Sequence, residues 1–135
     1  MQSNIPETPS GMGGLRILCA DDHTLLGDVL VRLFSIAGHF IERVHDGQEA
    51  WDAMVKDLAA IDVLITDHQM PRMNGIALVT LLRQSGYRGR IIVHGASLSA
   101  DETAQYRKLS VDSIVAKSST PEELLKIVEM FYGES

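Results

Sequence analysis

Five short apolar runs alternate along the chain with segments whose apolar residues recur at helical spacing, and this alternation strongly constrains the fold. The runs are LRILCA, FIERV, IDVLIT, RIIVHG and DSIVA, and three of them are apolar enough to be covered on both faces. Strands that alternate with helices form right-handed β-α-β crossovers and therefore a parallel sheet. We predict an α/β fold with a five-stranded parallel sheet and helices on both faces.

The ends of the predicted helices carry capping signals. Gly38 follows the first helix and suits its C-terminal cap. Asp46 and Ser99 each precede a glutamate by three residues, which indicates the start of the second and fourth helices. Thr120, followed by Pro121, gives the same signal for the last helix. Apolar residues at helical spacing mark one face of three of these helices. The first helix has Leu26, Val29, Leu30, Leu33 and Ala37, the third has Leu78, Val79 and Leu82, and the fifth has Leu124, Ile127, Val128 and Phe131.

Composition and charge exclude several classes of protein. The formal net charge is −6 and the sequence has no cluster of Lys and Arg, which argues against direct binding to nucleic acid or an acidic membrane. Cys19 is the one cysteine, so no disulfide framework is possible within the chain and a reducing cytoplasm is expected. No apolar run reaches the roughly 18 residues of a membrane span. Residues 1–14, rich in Pro, Gly and Ser, are expected to be a disordered leader before one domain over residues 15–135.

Charged side chains follow several of the predicted strands. Asp21 and Asp22 come after the first strand, Asp67 ends the third, and Lys117 follows the fifth. The carboxyl ends of parallel strands meet at one edge of the sheet, where sites form. The residues after the fourth strand, which meet the same edge, are His94, Gly95, Ala96 and Ser97.

Three aspartates at one edge would repel one another unless a cation lay between them. All-oxygen ligands suit Mg²⁺ or Mn²⁺ better than zinc, and Mg²⁺ is our expectation. A carboxylate beside such an ion and opposite a lysine can attack a phosphoryl group, which makes Asp67 a candidate nucleophile. For Asp21 and Asp22 taken alone, a helix N-cap with a solvated neighbour is the more ordinary interpretation, and the combination with Asp67 and Lys117 is what favours a site.

The motifs ADDH, TDHQMPRMNG and AKS resemble the receiver domain of two-component response regulators, over about Leu15 to Tyr132. The resemblance implies a single flavodoxin-like (βα)5 domain with strand order 2-1-3-4-5. It also implies a signalling phosphoacceptor, which catalyses at most its own phosphotransfer and dephosphorylation. The phosphoryl donor would be a sensor histidine kinase or a histidine phosphotransfer protein. A downstream protein would bind the face made by the fourth helix, fifth strand and fifth helix.

The resemblance also implies residue roles. Asp67 would accept the phosphoryl group and Lys117 would pair with it. Gly95 and the backbone N–H groups of His68 and Ala96 would contact its oxygens. The Mg²⁺ ligands would be Asp21, Asp22, Asp67 and the backbone carbonyl of Gln69.

Two positions depart from the family pattern. Gly95 stands where a Ser or Thr ordinarily donates its hydroxyl to the phosphoryl group, and Ile114 stands where the fifth strand ordinarily carries an aromatic residue. Ser97 could supply a hydroxyl only if its loop shifted. We therefore expect an atypical switch.

The residues can also be compared with the requirements of three other functions. A phosphatase of the haloacid dehalogenase type needs an acid two residues after its nucleophile, where this chain has Gln69. A flavodoxin-like redox module needs a Ser/Thr-rich loop where Asp21 and Asp22 stand. The third alternative is a receiver-like binding module that does not use phosphorylation. It remains possible because Gly95 and Ile114 replace the usual switch residues. The sequence alone is compatible with a stand-alone receiver, a phosphorelay shuttle or a piece of a larger protein.

Overall fold

The structure is a computed structural model that describes residues 14–133, so the predicted leader lies outside the described residues except for Gly14. The strands are β1 (Arg16–Ala20), β2 (Phe40–Val44), β3 (Val63–Thr66), β4 (Arg90–Gly95) and β5 (Ser113–Ala116). The helices are α1 (Thr24–Ile36), α2 (Gly47–Val55), α3 (Gly75–Gln84), α4 (Ala100–Lys108) and α5 (Pro121–Gly133), with a short 3-10 helix at Leu58–Ala60. Along this described range, no helix combines the length and the apolar character that crossing a membrane requires.

All neighbouring strands pair in parallel, and the order in the sheet is β2-β1-β3-β4-β5. This confirms the predicted flavodoxin-like topology. Ala20 pairs with both Val44 and Thr66, while Gly95 pairs with Ala116, so the carboxyl ends of the strands lie at one edge. The loops that follow β1, β3, β4 and β5 therefore all begin at this edge.

The sheet separates two apolar layers, as expected for helices on both faces. Every residue of β3 is buried, and its side chains alternate between the layers. Leu64 packs with residues of α2, α3 and α4 on one face, whereas Ile65 packs with residues of α1 and α5 on the other. A central strand covered on both faces has no polar side to place in water, which explains the apolar run Val63–Ile65.

The predicted caps are present at the helix starts. Asp46 accepts a hydrogen bond from the Glu49 N–H, although the Glu49 carboxylate accepts from His45 rather than from Asp46. Ser99 with Glu102, and Thr120 with Glu123, form reciprocal capping boxes. Beyond the end of α1, Gly38 has a φ of 97°, a conformation that favours glycine.

Candidate functional site

Three aspartates meet at the carboxyl edge of the sheet. The Asp67 N–H donates to the Ala20 carbonyl at 2.8 Å, and the Asp21 N–H donates to the Val44 carbonyl at 3.0 Å, which fixes both residues to neighbouring strands. One carboxylate oxygen from each of Asp21, Asp22 and Asp67 lies within 4.8 Å of the others. Asp21 and Asp67 are buried, whereas Asp22 is exposed.

Lys117 reaches this cluster from the turn after β5. Its Nζ lies 2.8 Å from Asp67 Oδ2 and 3.2 Å from Asp21 Oδ2. Burial disfavours the charged ammonium, but the neighbouring carboxylates outweigh burial, and the pKa of Lys117 is raised above its usual value. Lys117 is therefore a permanent cation beside the Asp67 carboxylate at neutral pH.

The other Asp67 oxygen accepts a backbone hydrogen bond. The His68 N–H donates to Asp67 Oδ1 at 2.7 Å, so the two carboxylate oxygens contact different donors. The loop then turns back, because the Gly75 N–H donates to the His68 carbonyl at 2.8 Å. A Cβ on Gly75 would lie 2.6 Å from the Asp67 carbonyl oxygen, so glycine is required by this close approach.

A cleft of about 440 Å³ lies above these groups, and it is lined by Asp22, Asp67, Gln69, Ala96, Ser97 and Lys117 among others. Gly95 ends β4 beside it. A Cβ at Gly95 would lie 3.6 Å from both the His68 Cβ and the Leu98 Cγ, an ordinary contact distance. The structure therefore brings the residues predicted from the sequence around one cleft, without a hydroxyl at position 95.

The donor set at the edge suits a hard divalent cation. All three clustered side chains are carboxylates, and neither His nor Cys belongs to the cluster. Oxygen ligands of this kind fit Mg²⁺ rather than Zn²⁺. Gln69 lines the same cleft, which is where the predicted carbonyl ligand would have to lie.

His94 is packed in the interior and does not line the cleft. It is 2 % exposed, and within residues 14–133 neither ring nitrogen has a hydrogen-bond partner. Burial, and then the charge of Lys117, lower the pKa of His94 below its usual value. A buried neutral imidazole is the result.

Two contacts around this site cannot be predicted from the sequence. The His68 side chain bonds to Tyr106 of α4, which is 38 residues away along the chain, and to Glu102. Arg72, in the loop after β3, pairs with Asp46. Neither contact has a local sequence signal, because each joins residues that only the tertiary fold brings together.

Comparison with known proteins agrees with this geometry. The family model of the response regulator receiver domain matches residues 17–129. Response regulator MprA of Mycobacterium avium is 34 % identical over 111 residues, which are 82 % of this chain and 48 % of that protein. MprA of Mycobacterium tuberculosis is also 34 % identical, over 82 % of this chain and 47 % of its own length. The chain thus spans about half the length of these curated relatives.

Solved structures share the fold. The receiver domain of Francisella response regulator 1452 has a TM-score of 0.80 at 25 % identity, covering 90 % of this chain and 98 % of the other. Chemotaxis response regulator CheY4 of Vibrio cholerae has a TM-score of 0.78 at 27 % identity, covering 87 % and 98 %. Since the family model matches most of the sequence, this chain belongs to the response regulator receiver domain family.

Proposed function

We propose that this receiver domain is the phosphoacceptor of a two-component or phosphorelay system and that Asp67 is its phosphorylation site. The observation that carries the proposal is the environment of the Asp67 carboxylate. One oxygen contacts Lys117, the other contacts the His68 N–H, and the side chain opens on the cleft. A carboxylate between a fixed cation and a fixed N–H donor suits a group that will carry a phosphoryl anion.

The proposed reaction is transfer from a phosphohistidine of a sensor histidine kinase or histidine phosphotransfer protein. An Asp67 oxygen bonds to phosphorus as the phosphorus–nitrogen bond breaks. The electron pair of that bond stays on the imidazole nitrogen, which takes up one proton from solvent, so the histidine leaves as a neutral imidazole. Lys117 offsets charge on the transferred group, and the N–H groups of His68 and Ala96 donate to its oxygens. The domain acts on its own carboxylate rather than on an external substrate.

Mg²⁺ belongs to the proposal because of the donor set. Asp21, Asp22, Asp67 and the backbone carbonyl of Gln69 would hold it. When bound, the ion supplies positive charge to the phosphoryl oxygens. Asp21 already accepts from the His23 N–H at 2.8 Å, which orients its carboxylate toward the cluster.

The downstream partner is proposed to bind the face made by α4, β5 and α5. This face adjoins the cleft, because Gly95 leads into α4 and Lys117 leads from β5 into α5. With its net charge of −6, the chain itself is proposed to bind a protein there and not nucleic acid.

The test is intact mass spectrometry after incubation with acetyl phosphate, with and without Mg²⁺. The wild type should gain the mass of one phosphoryl group only with Mg²⁺, and Asp67→Asn should gain none. Asp52→Asn, at an exposed aspartate of α2, is the matched control and should be modified normally. Equal modification of Asp67→Asn would show that the acceptor is another residue.

The second candidate function is a binding module that does not use phosphorylation, which Gly95 and Ile114 favour. A wild-type protein that gains no mass with Mg²⁺ and acetyl phosphate would support this candidate instead.

A further inference from the structure

The His68 side chain lies between the loop after β3 and helix α4, and both of its ring nitrogens have partners. Nδ1 lies 2.7 Å from the Tyr106 hydroxyl oxygen, and Nε2 lies 3.0 Å from Glu102 Oε2. The two rings meet edge to face, with centroids 5.5 Å apart. His68 is 5 % exposed and Tyr106 is fully covered, so their hydrogen bond is shielded from water, whereas the Glu102 carboxylate is partly exposed.

The two partners of His68 are the residues that fix α4. Glu102 closes the capping box with Ser99 at the start of the helix. Tyr106 is the one buried residue of α4 and is fully covered. Most other side chains of α4 are polar, so the helix has few apolar contacts that anchor it. Tyr106 anchors α4 in the core and Glu102 caps its start, and His68 contacts both residues.

The same residue contacts the reactive carboxylate through its backbone. The His68 N–H donates to Asp67 Oδ1 at 2.7 Å. Converting that carboxylate to an acyl phosphate changes the charge and acceptor strength that this N–H meets. A modification shifts a conformational equilibrium only by its different interactions with the two states, and here such a difference arises at His68.

We infer that His68 is the positioning residue that couples the state of Asp67 to α4, through hydrogen bonds to Tyr106 and Glu102. This inference rests on the proposed function, because it concerns the signal that phosphorylation of Asp67 would send. The proposed coupling runs from the Asp67 carboxylate through His68 to Tyr106 and Glu102 of α4. This coupling does not require a side-chain hydroxyl at position 95 or an aromatic ring at position 114, where this chain has Gly95 and Ile114.

The test compares backbone NMR shifts on adding beryllofluoride with Mg²⁺. In the wild type we expect shifts around Asp67 and Lys117 and throughout α4, with small shifts at Ile114. Tyr106→Phe keeps the buried ring and removes only the hydroxyl. It should retain the shifts at Asp67 and Lys117 while those in α4 fall at least about two-fold, because a buried hydrogen bond to His68 is lost.

Tyr87→Phe is the matched control. Tyr87 is 3 % exposed, and its hydroxyl donates to the Ile61 carbonyl at 3.0 Å, at the opposite edge of the sheet. The same chemical change there should leave the α4 shifts at their wild-type size. Glu102→Gln tests the contact between His68 and Glu102, at a partly exposed position where glutamine is compatible with a capping box. This variant should also reduce the α4 shifts.

Each outcome separates the two proposals. If α4 responds in both variants as it does in the wild type, the coupling role of His68 is wrong. A wild type that shifts at Asp67 and Lys117 but not in α4 overturns this inference alone. A wild type that shows no shift at any of these places overturns the proposed function, and the inference fails with it.

Discussion

The guanidinium of Arg72 binds both carboxylate oxygens of Asp46, with Nε 2.9 Å from Oδ2 and an Nη 3.3 Å from Oδ1. Asp46 is also the N-cap of α2, so this pair joins the loop after β3 to the start of that helix. Arg72 has a φ of 66°, which side chains with a Cβ rarely adopt. In the loop that follows Asp67, Arg72 therefore combines a left-handed backbone conformation with an ion pair to Asp46 that holds the loop against α2.

We expect Arg72→Ala to destabilise the protein more than Arg72→Gly. Both substitutions remove the ion pair with Asp46, but only glycine adopts a positive φ without strain. Urea unfolding should give the lowest midpoint for the alanine variant. Identical midpoints for the two variants would mean that the backbone at this position relaxes freely.

We expect Asp22→Asn to weaken Mg²⁺ binding at least about ten-fold, equivalent to about 1.4 kcal/mol. A small cation with few protein ligands loses much of its affinity when one carboxylate is neutralised. Titration followed by NMR shifts measures this directly. Glu42→Gln, at an exposed position of β2, removes the same charge away from the cluster and should bind Mg²⁺ as the wild type does. Unchanged affinity in Asp22→Asn would contradict the metal assignment.

His94→Leu should stabilise the protein by about 1 kcal/mol at neutral pH, because it removes two buried nitrogens that lack partners. The charged groups that act on His94 are Lys117, Asp21 and Asp67. Its pKa is lowered by folding from a usual value of 6.5, so below about pH 6.5 the unfolded chain takes up a proton that the folded protein resists.

The wild type should therefore lose stability as the pH falls below about 6.5, and His94→Leu should lose less over the same range. Thermal unfolding of both proteins from pH 7 to pH 5 measures the difference. His23→Leu, at an exposed histidine, is the control and should follow the wild-type curve. Parallel curves for the wild type and His94→Leu would show that the ring is not buried in a neutral state.

The sequence predicted the sheet because the information was local. The run from Val63 to Ile65 is apolar, as a strand covered on both faces requires. Capping signals such as Ser99 with Glu102 lie within four residues and depend on one helical turn. The convergence of Asp21 and Asp67 followed from the rule that parallel strands end at one edge.

The contacts of α4 could not be predicted in the same way. The helix reads ADETAQYRK, and a single buried tyrosine gives no apolar period. Nothing in the sequence shows that Tyr106 is fully covered or that its hydroxyl contacts His68. The sequence pattern also does not predict the 3-10 helix Leu58–Ala60, although the Asp57 side chain caps it by accepting from the Ala59 N–H. Elements this short leave too few residues for a period to be visible.

Gly95→Thr should extend the response to beryllofluoride into β5. The backbone at Gly95 accepts a Cβ at ordinary contact distances, so the variant should fold. Its hydroxyl could donate to the phosphoryl mimic, and a hydrogen bond to a charged group is worth roughly 1.5–3 kcal/mol, which corresponds to about ten-fold or more in coupling. We therefore expect larger NMR shifts at Ile114 than in the wild type. Gly95→Val has the same shape without the hydroxyl and should not enlarge them. Equal effects of threonine and valine would show that side-chain bulk, rather than a hydrogen bond, sets the reach of the response.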